Sequence, residues 1–156
     1  MAVTHDEEKQ TIIARLCALA RHRLPPVDAE LASRFIQRYY ASTATEDLSA
    51  RSDDDLCGVA LCHWKLAQQR RSGMPSLRVY NPHYENDGWQ STHTVVEIVT
   101  DDMPFLVDSL SMELLRQDYN IHLILHPVMR IARDGGGHLR DVSSDNGATA
   151  DALPEA

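Results

Sequence analysis

The chain has 156 residues, 43% of them hydrophobic, which is enough to bury one domain's core or two small ones without disulfides. A formal net charge of −8 at pH 7 argues against a nucleic-acid partner, because neutralising phosphates needs clustered Lys and Arg. The acidic start MAVTHDEEKQ and the lack of any run of about 18 apolar residues point to a soluble, cytoplasmic protein with no membrane partner.

From Asp6 to about Arg23, Ile12, Ile13, Leu16, Leu19 and Ala20 recur at helical spacing, with Glu7 and Glu8 early and Arg21 and Arg23 late. Pro25 and Pro26 end that helix. Asp28 is the expected cap of a second, whose stripe is Leu31, Phe35, Ile36, Tyr39 and Tyr40. Residues 42–49 are small and polar, a loop. Ser52 followed by Asp53, Asp54 and Asp55 predicts a third helix start, since carboxylates stabilise the positive end of the helix dipole. Three adjacent acids do not make a metal site here: consecutive helical positions fan out by about 100°, and no second acidic cluster faces them. Leu56, Val59, Ala60, His63, Leu66 and Ala67 form the expected buried stripe. Cys17, Cys57 and Cys62 sit inside apolar helical patterns and read as reduced core thiols. Arg70 and Arg71, the only adjacent basic pair, read as cations at a helix C-terminus.

Beyond Gly73 and Pro75, residues 77–81 form a short strand candidate before the irregular stretch Pro82, Asn86, Asp87 and Gly88. Trp89 is placed to cover one end of a sheet. The β-branched run from Thr94 to Val99 predicts a largely buried strand that stops at Asp101 and Asp102. A helix follows, with Asp102 as expected N-cap, Pro104 in its first turn, and Met103, Leu106, Val107, Leu110 and Leu114 on one stripe facing the sheet. Residues 120–133 read as a long strand that Pro127 bends. Asp134 to Gly137 make a hairpin turn into a strand over 138–142, and the polar residues from Ser143 onward predict a disordered tail.

No metal, catalytic or nucleotide constellation emerges. His122 and His126 lie about 13 Å apart on a strand, too far to share an ion. Gly135 to Gly137 precede a strand, whereas a dinucleotide cradle needs a helix there. Ser109 lacks a nucleophile elbow. The candidate site is the turn Asp101, Asp102, Met103, Pro104 and Phe105, where helix N–H groups face an anionic or zwitterionic ligand and Asp102 accepts from an amino group.

The stretch from Asp87 to Asp134 (DGWQSTHTVVEIVTDDMPFLVDSLSMELLRQDYNIHLILHPVMRIARD) closely resembles the N-terminal region of the large bacterial NAD-dependent glutamate dehydrogenases. Tyr39, Tyr40, His63, Trp64 and the run RVYNP from Arg78 to Pro82 are similar to the helical lead-in of the same enzymes. The resemblance implies an ACT-like region, βαββαβ in full, that is non-catalytic and often binds amino acids or mediates oligomer contacts. Asp102-x-Pro104 with Leu106 and Asp108 looks like the Asp-x-Pro-Gly-Leu-x-x-Asp pattern of the first ACT turn, from which Phe105 departs. Glycine there lets a ligand approach the backbone.

The expected fold is α+β: a helical segment over 1–75, an incomplete ACT-like antiparallel sheet (βαββ) with one crossover helix over 76–143, and a tail over 144–156. The resemblance implies a regulatory or oligomerisation region, with no cofactor of its own and NAD belonging to the parent enzyme. Its implied partners are a second copy or the rest of the dehydrogenase, with a small amino-acid effector. The alternatives are a freestanding ACT-type amino-acid sensor and a small enzyme using Asp101 or Asp102 as acid or base.

Overall fold

The computed structural model describes residues 4–143 and 153–156. Helix α1, His5–Arg23, opens with a capping box: Glu7 N–H donates to Thr4 Oγ1 at 3.4 Å and Thr4 N–H to Glu7 Oε2 at 3.1 Å. Helix α2, Pro26–Tyr39, starts with Pro26 at its first position after Pro25, so Asp28 lies inside the first turn and does not cap. A short helix α3, Thr45–Ser49, occupies part of the expected loop, because Leu48 is drawn into the core at 1% exposure. Helix α4, Asp53–Ala67, begins at Ser52 as expected, the hydroxyl accepting from Asp55 N–H at 3.1 Å.

These helices share one core in which Leu16, Ile36, Tyr40, Cys57 and Ala60 are fully buried. Tyr40 donates its hydroxyl to Leu56 O at 2.7 Å, and Arg15 holds Asp53 at 2.7 Å, which docks the start of α4 on α1. All three cysteines are reduced and buried; burial pushes the Cys57 thiol up to about 11.

Strand β1, Ser76–Tyr80, leads through helix α5, Tyr84–Asp87, to strand β2, Val95–Val99, which pairs with it antiparallel from Ser76↔Val99 to Tyr80↔Val95. Helix α6, Leu106–Arg116, precedes β3, Met129–Arg133, which pairs antiparallel with both β4, Leu139–Ser143, and β5, Leu153–Glu155. Thr100 and Ala156 exchange reciprocal backbone hydrogen bonds, both 3.0 Å, and Asp101 bridges Glu155. That junction joins two small sheets in the order β1-β2-β5-β3-β4.

Further expectations change. The strand expected over 120–133 is confined to its last five residues, since Pro127 has no N–H to pair and only Met129–Arg133 meets partner strands. Part of the expected tail is ordered as β5, while residues 144–152 lie outside the described residues. The crossover helix α6 buries no residue, because α4 already packs on β1 and β2. Trp89, 7% exposed, packs on α4: a Cβ on Gly58 would lie 2.5 Å from Trp89 Cβ. Gly58→Ala is therefore expected to lower stability by about 1–3 kcal/mol through overpacking, read as a reduced denaturant midpoint at unchanged m-value.

Candidate functional site: a buried arginine–carboxylate junction

Arg70 leaves the end of α4 on an extended segment that pairs with the β3–β4 hairpin. Leu139 N–H donates to Gln68 O at 2.8 Å and Arg70 N–H to Gly137 O at 3.0 Å. Gly137, with φ 82, is required there, since any Cβ would sit 2.2 Å from Arg70 O. Arg70 is 5% exposed and was read from sequence as a helix-dipole cation; the structure makes it an anchor. Its Nη2 donates to Asp101 Oδ1 at 2.6 Å and Glu155 Oε1 at 2.9 Å, and its Nη1 to Met74 O at 3.0 Å. Its Nε is buried with no partner among the described residues.

Arg133 approaches Glu155 from β3 as a fork, with Nε to Oε1 and Nη2 to Oε2 both at 2.8 Å. Its Nη1 is fixed by Ala67 O at 2.8 Å and Gly137 O at 3.0 Å. Burial alone would push the Glu155 carboxyl up, yet the bonds from Arg133 and Arg70 hold it below the usual carboxylate range. Beside this junction lies a cavity of about 440 Å³, lined by Arg70, Arg71, Asp101, Arg133, Gly135 and Glu155 among others.

Of the five turn residues expected to form the site, only Asp101 reaches this cavity. Asp102, Met103, Pro104 and Phe105 are exposed. Asp102 does not cap α6: its N–H is tied to Pro154 O at 3.2 Å, which keeps the chain extended, and the cap position falls to Phe105, at φ 62 with no side-chain bond. The left-handed backbone explains why the ACT pattern carries glycine where this chain has Phe105.

A second buried group lies on the inner face of β1–β2. Glu97, 4% exposed, accepts from Tyr80 hydroxyl at 2.6 Å, while its Oε2 has no partner among the described residues. Burial raises its carboxyl, opposed by Tyr80 and by Arg78, whose guanidinium stacks 3.7 Å from the Tyr80 ring centre. His63 bridges helix and sheet: Nε2 lies 3.1 Å from Ile98 O and Nδ1 3.0 Å from Tyr39 hydroxyl, so Nε2 carries the proton and Nδ1 accepts. His122, off any strand, rests on His93 with ring centres 4.2 Å apart. Among the described residues no group of three or more His, Cys, Asp or Glu is placed to hold a metal ion. Gly135 to Gly137 turn strand into strand, where a dinucleotide cradle turns strand into helix, and Gly137 is packed against Arg70.

Helices followed by small antiparallel sheets, welded at a buried arginine–carboxylate junction, define an α+β module of the ACT-like class. No helix among the described residues is long and apolar enough to cross a membrane. The chain belongs to the family described as "Glutamate dehydrogenase, ACT1 domain", which matches residues 35–156. It is 40% identical over 129 residues to an NAD-specific glutamate dehydrogenase of Pseudomonas aeruginosa, covering 80% of this chain and 8% of that protein. It is 37% identical over 154 residues to the NAD-specific glutamate dehydrogenase of Halomonas elongata, covering 99% of this chain and 9% of that protein. The chain thus spans under a tenth of these relatives. No solved structure matches it.

Arg70→Gln is expected to cost about 3–5 kcal/mol in chemical denaturation, because Glu155 loses a buried partner. In the same assay Asp101→Ala is expected to be costlier than Asp102→Ala, since only Asp101 accepts from Arg70. A greater loss at Asp102 would show that the junction does not bear on stability.

Burial lowers the His63 pKa below its ordinary 6.5 against the opposing pull of Ile98 O. Its contribution to stability is therefore complete above pH 6.5 and is lost as pH falls through the folded value. Urea denaturation between about pH 5 and 8 is expected to show a steeper acid loss for wild type than for His63→Gln.

Proposed function

We propose that this chain acts as a non-catalytic regulatory and assembly region of a large, cytoplasmic NAD-dependent glutamate dehydrogenase. The parent reaction is oxidative deamination of glutamate to 2-oxoglutarate and ammonia. Residues 1–75 serve as a helical lead-in and 76–143 as the ACT-like module. Kinship with two such dehydrogenases supports the parent assignment.

The observation that carries the assembly role is the uncovered surface of α6. Met112 and Leu115, 71% and 57% exposed, lie three residues apart on α6, and Phe105 and Tyr119, 76% and 63% exposed, flank its two ends, so that α6 presents an exposed apolar stripe. Apolar side chains grouped along one helix mark a contact surface, whereas scattered ones do not. The occupant proposed is the matching stripe of a second copy, related by a two-fold axis. A small amino acid acting near Asp101 supplies the regulatory arm.

Sedimentation over a concentration series is expected to show a monomer–dimer equilibrium that Met112→Glu and Leu115→Glu shift toward monomer. Both positions are solvent-exposed, so the variants are expected to melt as wild type does. A wild-type monomer at every concentration would remove self-association from the proposal.

A further inference from the structure

We propose that the Arg70–Arg133 pair is a carboxylate-binding site filled in cis by Glu155, and that a small free dicarboxylate competes for it. This is independent of the assembly reading, which concerns α6.

The site is held in place by parts of the chain other than β5. Arg133 is positioned by Ala67 O and Gly137 O, and Arg70 by Met74 O and by backbone pairing with Gly137. Withdrawing Glu155 would therefore leave two guanidiniums converging on the place of one carboxylate oxygen, with Arg70 buried and half-exposed Asp101 its remaining carboxylate partner. Such a pair requires an anion.

Apart from the two arginines, the present occupant is held by the backbone pairing of one short strand. β5 has three residues, Leu153 is 64% exposed, and Pro154 supplies no N–H to either neighbouring strand. The cavity of about 440 Å³ opens beside Glu155 and both arginines, giving the body of a small ligand somewhere to lie. The Arg71 guanidinium lines it with no hydrogen bond or ion pair among the described residues, free for a second carboxylate. Asp134, also on the wall, is satisfied by Arg140 and by Gly136 and His138 N–H. Arg71 and the clamp together thus match a short dicarboxylate. Because Glu155 is tethered, it acts at an effective concentration of order millimolar and masks the site in the intact chain.

The test uses the full chain with glutarate as probe, read by calorimetric titration and melting temperature against NaCl of equal ionic strength. Glu155→Ala is expected to bind glutarate roughly tenfold or more tighter than wild type, with Arg133→Gln in that background abolishing binding. Glu155→Gln, which preserves the side chain's size, is expected to fall between them. If Glu155→Ala is unfolded alone, recovery of its helical signal on adding glutarate supports the site, and failure to recover overturns it. A folded Glu155→Ala with no response beyond NaCl overturns the proposal. So does a response that survives Arg133→Gln, or an equal response to inorganic phosphate.

Discussion

Glu155 between Arg133 and Arg70 is the constraint on which the sheet half depends. The carboxylate is 5% exposed, and no part of the chain reaches it alone: Arg133 comes from β3, Arg70 from the end of α4, and Asp101, beyond β2, shares Arg70 with it. An ion pair so deeply buried adds little net stability over a well-packed apolar substitute, but losing one partner is costly. Its consequence is geometric. It fixes where β5 lies, and β5 is what joins β1–β2 to β3–β4.

The helical half is organised by different physics. Its core is aliphatic and aromatic, with Phe35 packing edge-on to Trp64 at 5.4 Å between ring centres and stacking on Tyr39 at 5.5 Å. Apolar burial is non-directional, so it tolerates irregular joins such as α3. Polar groups enter mainly where a direction must be set. His63 orients α4 against β2, Arg34 ties α2 to Asp141 of β4 at 2.6 Å, and Arg15 ties α1 to α4.

Between these halves α6 stands apart. A helix apolar on two sides buries both only when it has neighbours on both, and α4 has taken the sheet face that could have served as one. Membership of the "Glutamate dehydrogenase, ACT1 domain" family fits such a module, small within its relatives and rich in unspent surface.

The sequence by itself determined the elements whose signals are local. Ser52 before three aspartates started α4, apolar spacing of three and four marked α1 and α2, β-branched residues marked β2, and the glycine run turned β3 into β4. The specific run TVVEIVTDDMPFLVDS also carried the family. Tertiary structure alone decided the site. Asp101 and Asp102 are indistinguishable by composition, and either could cap a helix; Arg70, 31 residues away, claims the first, and Pro154 claims the backbone of the second. Neither partner leaves a periodic trace, because an ion pair between distant segments is set by where the backbone carries them. Glu155, in a short polar tail, was the least legible residue, since its buried carboxylate is held by two cations that only the folded chain assembles.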